Sequence, residues 1–468
     1  MELRARSIVT LAAIFGAAVL AAGLASFAKA GDAPATGIPS PSIATSLPAN
    51  GDPFGRRAAL AGAGITFGFT YTAEVIGNPA GGISQGAAYD GLLKGNLDAD
   101  LEKIFGFKNL SFHTSGYQIH STDHFTAENL GSLVTSSNIE SFDSTLLFEL
   151  WLEQKFLDNK LSLRFGQLAA DSEFLISDTA GRFIANTYGW AIFPSVNLPT
   201  GGPIYPLATP GVRLRFDPNE AFSALLAVYN GNPVDPRFDP PRGRERYGLA
   251  ARIDDPPLVM GEVQWKYNRD KGASFLPGTI KAGGWQNFGK FDDQRFGSDG
   301  LSLANPASNG IAAQRRGSFG IYGIIDQQLY QIPGAEQGKG VATFARVIAG
   351  PQDTSAVSFY ADSGVVFSGL VVGRPNDAFG LAVAYSKISG SAIDLDEDAR
   401  AFGSGALVRD GEVDLEINYQ AEIVSGWTVQ PVFQYIWHPG GNVANPADPA
   451  GAAIPDATVF ALRTTVNY

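Results

Sequence analysis

Two short patterns in this sequence carry the residue types of a metal site. His120, Asp123 and His124 put two imidazoles and a carboxylate within five residues. An i,i+4 pair converges on one metal only when it sits on a helix, and here a strand-like stretch enters a loop. Asp394, Asp396 and Asp398 alternate like the first carboxylates of a calcium loop. They lack that loop's glycine and distal glutamate, so a solvated acidic loop is the expectation, with weak divalent-ion binding as the alternative. Nucleophilic chemistry is thinly supplied: the histidines are His113, His120, His124 and His438, and there is neither a cysteine nor a Gly-x-Ser-x-Gly elbow. No cofactor and no metal are expected. The chemistry that remains is hydrogen bonding and charge, from Arg, Asp, Glu, amides and aromatic rings.

The elements that must position those groups are strands. From Val413 to Ile423 every odd position is apolar or alanine and every even one is acidic or an amide. Trp427 to His438 repeats the pattern, with Val429, Phe433, Tyr435 and Trp437 opposite Gln430, Gln434 and His438. Successive strand side chains point to opposite faces, so one face is apolar and the other polar. A soluble sandwich is the competing architecture. Its outer face would be rich in Lys and Thr, whereas these polar faces carry carboxylates and amides, and Trp427, Tyr435 and Trp437 cluster near the ends of the apolar ones, as in an interfacial girdle.

Connections alternate in length. Leu157–Asn159, Asp217–Asn219, Asp254–Pro257, Pro375–Asp377 and Ser425–Gly426 are tight, while 121–141, 171–209, 389–410 and 439–455 are long. Short turns at one end and long loops at the other mark an outer-membrane barrel. Seventeen strand-like windows can be drawn, including one at 243–254. A bacterial barrel needs an even number, so about sixteen are expected, with the surplus sought between 258 and 350, where the turn rhythm loses phase. Barrels of about this size leave an aqueous channel. The fold class is therefore all-β, a transmembrane antiparallel barrel without convincing amphipathic helices.

Composition agrees. Gly (55) and Phe (31) are abundant, and the formal net charge of −12 argues against nucleic acid, which needs basic patches. Arg4 and Arg6, the apolar run Ile8–Leu24 and the small-x-small site Ala28-Lys29-Ala30 predict a signal peptide over 1–30. A spanning helix, the alternative, needs about 20 apolar residues. Residues 31–62 read as a flexible Pro-rich leader and 63–468 as the barrel. The absence of cysteine excludes a lipidated N-terminus and disulfides.

An Arg on the lipid face costs about 2–4 kcal/mol near the bilayer midplane, so the charged strand residues should point inward. Glu149, Trp151 and Glu153 oppose Leu146, Phe148, Leu150 and Leu152; Arg164 opposes Leu163 and Phe165; Arg213 and Arg215 oppose Val212, Leu214 and Phe216. Arg252, Glu262, Arg346, Arg374, Asp414, Glu416, Glu422 and Arg463 follow the same rule. Mixed Arg and carboxylate walls can hold a neutral polyhydroxyl solute by hydrogen bonds, and Trp151 could offer a ring face to a sugar. A balanced charge ladder that merely solvates the wall is the plainer reading of any one residue. The segment Asp171–Thr209 holds Phe174, Phe183, Tyr188, Trp190, Phe193 and Tyr205, too aromatic for a loop in water, and is expected to fold into the lumen. An outer cap on the rim is the alternative.

The stretches Leu161–Gln167, Gly320–Gln327, Phe344–Arg346, Gly369–Asp377, and Gln430–Ile436 with Pro439–Gly441, in this order, resemble the carbohydrate-selective porin family of OprB type. The resemblance implies a sixteen-stranded barrel that passes glucose and other small sugars through an eyelet of Arg, acidic and aromatic side chains. It singles out Arg164, Asp326, Arg346 and Arg374. Passive, energy-independent diffusion is expected, since no nucleotide-binding loop appears. The expected partners are outer-membrane lipid and lipopolysaccharide, the barrel-assembly machinery and small sugars, with monomer or homotrimer left open. A general porin without sugar preference is the nearer alternative, and a barrel enzyme or an adhesin acting through its loops the more distant one.

Overall fold

Each alternation in the sequence becomes a strand with one face on lipid and one in the interior. The computed structural model describes residues 37–46, 51–52, 54–122, 124–235, 247–269 and 275–468; the signal segment 1–30 lies outside them. Sixteen antiparallel strands close into one barrel in simple sequence order, with the last pairing on the first. They are β1 (Ile65–Ala80), β2 (Gly86–Asp100), β3 (Leu110–Ser121), β4 (Ser144–Phe156), β5 (Leu161–Leu168), β6 (Thr209–Asn219), β7 (Phe222–Asn230) and β8 (Pro257–Tyr267). There follow β9 (Gly278–Gly297), β10 (Ala312–Gln331), β11 (Gly340–Ala349), β12 (Val357–Ser368), β13 (Ala378–Ile388), β14 (Gly411–Val424), β15 (Trp427–Trp437) and β16 (Ala457–Asn467). Among the described residues no helix is long and apolar enough to cross a membrane. Closure leaves no free sheet edge, the condition for a strand-built structure in lipid.

The outer face matches the alternation. Leu150, Phe165, Val212, Leu214 and Phe216 are exposed on it, and Arg213 between them is buried inside. On β15 the outward rings of Trp427 and Trp437 stand at opposite ends of the strand, and Tyr435 packs on Trp437 with centroids 4.6 Å apart. On β16 Phe460 and Leu462 face out while Arg463 turns in. Thr464, a weak residue for lipid, accepts a hydrogen bond from the Trp427 indole at 2.9 Å.

The surplus window is 243–254. Its described part, from Tyr247 onward, contains no strand; Tyr247, Leu249 and Ile253 are exposed and β7 pairs directly with β8. The alternation there has no partner to pair with, so the surplus falls before 258 rather than between 258 and 350. Asp254–Pro257 closes the long β7–β8 loop instead of forming a tight turn. Arg252 is therefore off the wall and bonds to the carbonyls of Asn232 and Val234 and to Asp255.

Two further expectations change. Above Glu149 a bulge in the β3–β4 pairing slips the register between Ser115 and Gly116, which turns Leu146 and Phe148 inward. Phe148 then stacks on Tyr117 with centroids 4.5 Å apart. The acidic stretch is a helix, Gly390–Ala401, capped by the Ser389 hydroxyl, which accepts from the Ala392 amide at 3.2 Å. Helical spacing puts Asp394 and Asp398 on one face, where Arg295 bonds both at 2.5 and 2.8 Å and holds Asp398 below the usual carboxylate range. Asp396 is taken by Arg409 at 2.8 Å. His120 packs against the rings of Tyr71 and Tyr89, with centroids 6.0 and 5.8 Å away; Asp123 is outside the described residues.

The leader is not without structure among its described residues. Helices run over Ile43–Ser46 and Arg56–Gly62. The Ser46 hydroxyl donates to the Ser425 carbonyl at 2.5 Å, so the first rests on the β14–β15 turn. Arg57 of the second lies over the rings of Phe67 and Tyr468, at 4.9 and 5.1 Å, where β1 runs past the end of β16.

Candidate functional site

The interior chemistry starts from three neighbouring strands whose register aligns Glu153 with Arg164 and Arg164 with Arg213. Arg213 binds Glu153 at 2.8 Å, Glu173 at 2.6 Å and the Ser162 hydroxyl at 2.6 Å. Arg164 sits between the same two carboxylates at 3.7 and 3.5 Å. Two cations and two anions in one cluster leave each charge compensated in a place where an isolated one would be costly. Trp151 stands beside them, but neither face of its ring is free: His113 stacks on one at 4.7 Å, and the Arg164 guanidinium lies over the indole at 3.7 Å. It supports Arg164 rather than offering a platform to a sugar. Gly166, opposite Trp151, has φ of 142°, and a Cβ there would lie 2.2 Å from the Leu150 carbonyl, so no side chain fits between them. Glu149 accepts from the Ala169 amide at 3.2 Å, and Arg215 turns to Asp217 at 2.7 Å.

The segment between β5 and β6 folds into the lumen. Phe174, Phe183, Tyr188, Trp190 and Phe193 are buried in one apolar cluster with the inward rings of Tyr229, Trp285, Tyr322, Phe344 and Tyr360. Trp190 is 3% exposed and so presents no face to a solute. With little ladder of its own, the segment needs the wall to satisfy its backbone. Glu416 accepts from the Ile184 and Ala185 amides at 2.9 and 2.8 Å. Asp326 accepts from the Ser177 hydroxyl at 2.6 Å and the Thr179 amide at 3.0 Å. Arg346, paired with Asp362 at 2.5 Å, donates to the carbonyls of Leu175 and Thr187 at 2.9 and 2.6 Å, with longer contacts to Tyr188 and Gly189. Arg374 is elsewhere: it lies in the β12–β13 turn, bound to Asp377 at 2.7 Å.

Glu262, expected to point inward, and residues not singled out in the sequence complete these clamps. Glu262 accepts from the Leu175 amide at 3.0 Å, Lys281 donates to the Ile176 carbonyl at 2.6 Å, and Asn197 donates to the Val357 carbonyl at 2.7 Å. Glu412 holds a second inward loop by the Leu133 and Val134 amides, at 2.9 and 3.0 Å, and a third by the Gly440 amide at 2.6 Å. The available signal was a charged inward position facing a segment too aromatic for water.

The inserted segment fills the side of the barrel formed by the middle strands, and its Ile184 is buried in a second apolar cluster with Phe125 and with Ile76, Val432, Ile436 and Val459 on the inner faces of β1, β15 and β16. On the other side Thr70, Asn96, Thr428, Thr465 and Asn467 are only half-buried. Lys94, which shares the inner face of β2 with Asn96, is exposed, and its ammonium lies 5.4 Å from the Tyr117 ring centroid. Asp171 faces this sector; burial pushes its carboxyl up to about 6, against the Tyr205 amide and Lys94, which pull it back down. A hydroxyl- and amide-lined passage with a few charges suits a neutral, heavily hydroxylated solute.

A family model described as carbohydrate-selective porin, OprB family, matches residues 84–468. The chain is 25% identical over 413 residues to a protein named Porin B from Pseudomonas aeruginosa, covering 84% of this chain and 87% of that one. Among solved structures, that of Pseudomonas putida OprB at high pH superposes with a TM-score of 0.77 at 20% identity, over 90% of this chain and 98% of that one. The outer-membrane channel DcaP of Acinetobacter baumannii gives 0.50 at 11% identity, over 87% of this chain and 98% of that one.

Proposed function

The chain belongs to the OprB family of carbohydrate-selective porins, and on that premise we propose passive, energy-independent diffusion of glucose-like monosaccharides and small oligosaccharides through the sector between the inserted segment and the walls of β1, β2, β15 and β16. One observation carries this reading. The interior is dry and apolar where the inserted segment packs on the middle strands and where its Ile184 is buried with Ile76, Val432, Ile436 and Val459 of β1, β15 and β16, while hydroxyls, amides and a few charges are left accessible further along those last strands, at Thr70, Thr428 and Asn467. Such a lining exchanges hydrogen bonds with a polyhydroxyl solute as it does with water, and the apolar half sets the width. The fixed charges of the Glu153–Arg164–Glu173–Arg213 cluster compensate one another, so they impose no strong preference on a neutral solute.

Liposomes carrying the purified protein should swell faster in glucose than in an amino acid of similar size. Equal rates across solutes would leave a general porin, and no swelling would remove the pore. Sugars, outer-membrane lipid, lipopolysaccharide and the barrel-assembly machinery are the partners this reading entails; a homotrimer remains compatible with it.

Export through a signal peptide ending at Ala30 is part of the same proposal. The mass of the protein recovered from the outer membrane should correspond to a chain beginning at Gly31. A mass that includes Ile8–Leu24 would replace cleavage with a retained anchor.

A further inference from the structure

The inward-facing arginines of the strands all have carboxylate partners: Arg164 and Arg213 bind Glu153 and Glu173, Arg215 binds Asp217, Arg346 binds Asp362 and Arg463 binds Glu74. Not every cation inside the barrel follows this rule: among the described residues Lys281, buried, binds the Ile176 carbonyl at 2.6 Å instead, and Arg182 and Lys94 are exposed without a carboxylate partner. Arg182 is exposed near the tip of the inserted segment, and among the described residues its guanidinium is bonded only to an amide, Gln420 Oε1, at 2.8 Å. Lys94 is exposed on the inner face of β2 and forms no ion pair among the described residues. The charged groups that act on it are Asp171, whose carboxylate is held by the Tyr205 amide at 2.9 Å, and Arg463, tied to Glu74 at 2.6 Å.

Arg182 is not a loose surface residue. Its carbonyl accepts from Asn418 Nδ2 at 3.2 Å and from Gln430 Nε2 at 2.9 Å. Three amides from β14 and β15 thus fix both its backbone and its side chain, and none brings a negative charge. The inner face that supplies Asn418 and Gln420 also carries Glu412, Asp414 and Glu416 on one side and Glu422 on the other, where Glu422 accepts from Asn376 Nδ2 at 2.6 Å; none of these carboxylates bonds the guanidinium. An uncompensated cation in a narrow aqueous passage is neutralised best by whatever anion passes.

We infer that Arg182, assisted by Lys94, selects for sugars that bear a carboxylate, such as uronates and aldonates, over neutral sugars of the same size. The inference rests on the sugar-porin reading and narrows its substrate class. The hydroxyls of such a solute meet Thr70, Thr428 and Asn467, and its carboxylate meets the planar guanidinium, whose parallel N–H donors fit two carboxylate oxygens.

The test measures flux of glucuronate and of glucose into proteoliposomes and reads their ratio. The natural protein is expected to favour glucuronate, and the preference should fade as salt is raised. In Arg182→Gln the ratio should fall about fivefold, the weight of one contact between unit charges about 4 Å apart in water. Arg182→Lys should keep part of the preference, because it keeps the charge without the fork, and Lys94→Gln should lower the ratio by a smaller factor. A ratio of one or less in the natural protein, or one unmoved by both Arg182→Gln and Lys94→Gln, overturns the inference while leaving a neutral-sugar porin intact. Absence of flux for both solutes overturns the sugar-porin reading itself.

Discussion

Replacing Arg346 with methionine is expected to release the inserted segment and raise single-channel conductance severalfold. The guanidinium is fully buried beside Asp362 and donates to backbone carbonyls between Leu175 and Gly189, so one side chain holds both ends of the segment's apolar turn. Methionine keeps an unbranched apolar stem but stops short of the guanidinium and donates nothing. The variant therefore leaves several carbonyls buried without donors and Asp362 with the Tyr360 hydroxyl but no cation, and breaking a buried pair in this way costs about 3–5 kcal/mol. The barrel ladders do not depend on Arg346 alone, so this cost falls on the inserted segment. Arg346→Lys should give an intermediate conductance with more current noise, because a single ammonium cannot span Asp362 and the carbonyls together. Deleting residues 182–200 should give the widest channel. Conductance unchanged in the deletion would show that the segment does not constrict the passage, and conductance unchanged in Arg346→Met alone would show that the remaining clamps suffice.

Removing Tyr468 is expected to cut the yield of assembled barrel severalfold while sparing the conductance of those that form. The Tyr468 amide donates to the Phe69 carbonyl at 3.0 Å and its carbonyl accepts from the Phe69 amide at 3.4 Å, so this residue makes the last rung of the β1–β16 seam. Its ring also lies under Arg57, which covers the stretch of β1 that β16 does not reach. Loss of the residue bares two backbone groups of β1 and takes away one partner of a buried guanidinium, at the place where the two ends of the sheet must find each other. Heat-modifiable mobility on gels, together with the amount of protein in the outer-membrane fraction, measures the effect. Full yield with altered conductance would place Tyr468 in the passage instead of the seam.

The two experiments probe different parts of the molecule, and these parts were not equally legible in the sequence. Strands such as Val413–Ile423 and Trp427–His438 announce themselves, because lipid on one face and polar interior on the other enforce a period of two. The same rule put Arg213, Arg346, Glu416 and Arg463 inside, where the structure has them. It failed at Phe148, where a bulge reverses the parity, and at Tyr247–Asp254, where alternation occurs without a partner strand. It also missed the helix at Gly390–Ala401, whose acidic face gains its partner from Arg295, distant in the chain.

Roles were less legible than positions. Periodicity states which way a side chain points, but not what meets it there. The inward placing of Trp151, Glu416 and Arg346 suggested contact with a solute; the structure occupies both faces of the first and spends the other two on the backbone of the inserted segment. No local pattern marks Arg182 and Lys94, because an unpaired charge is recognised only when all its neighbours are known.

The sequence alone therefore determined the class of fold, the number of strands to within one, the inward set of charges and the aromatic segment that had to leave water. These depend on the chain's local period and on the two solvents it meets. Only the tertiary structure decided which charges neutralise each other, which are spent on backbone groups and which stay open to a passing solute. Those outcomes depend on distances between residues far apart in the chain, such as Arg346 and Thr187, that no local pattern encodes.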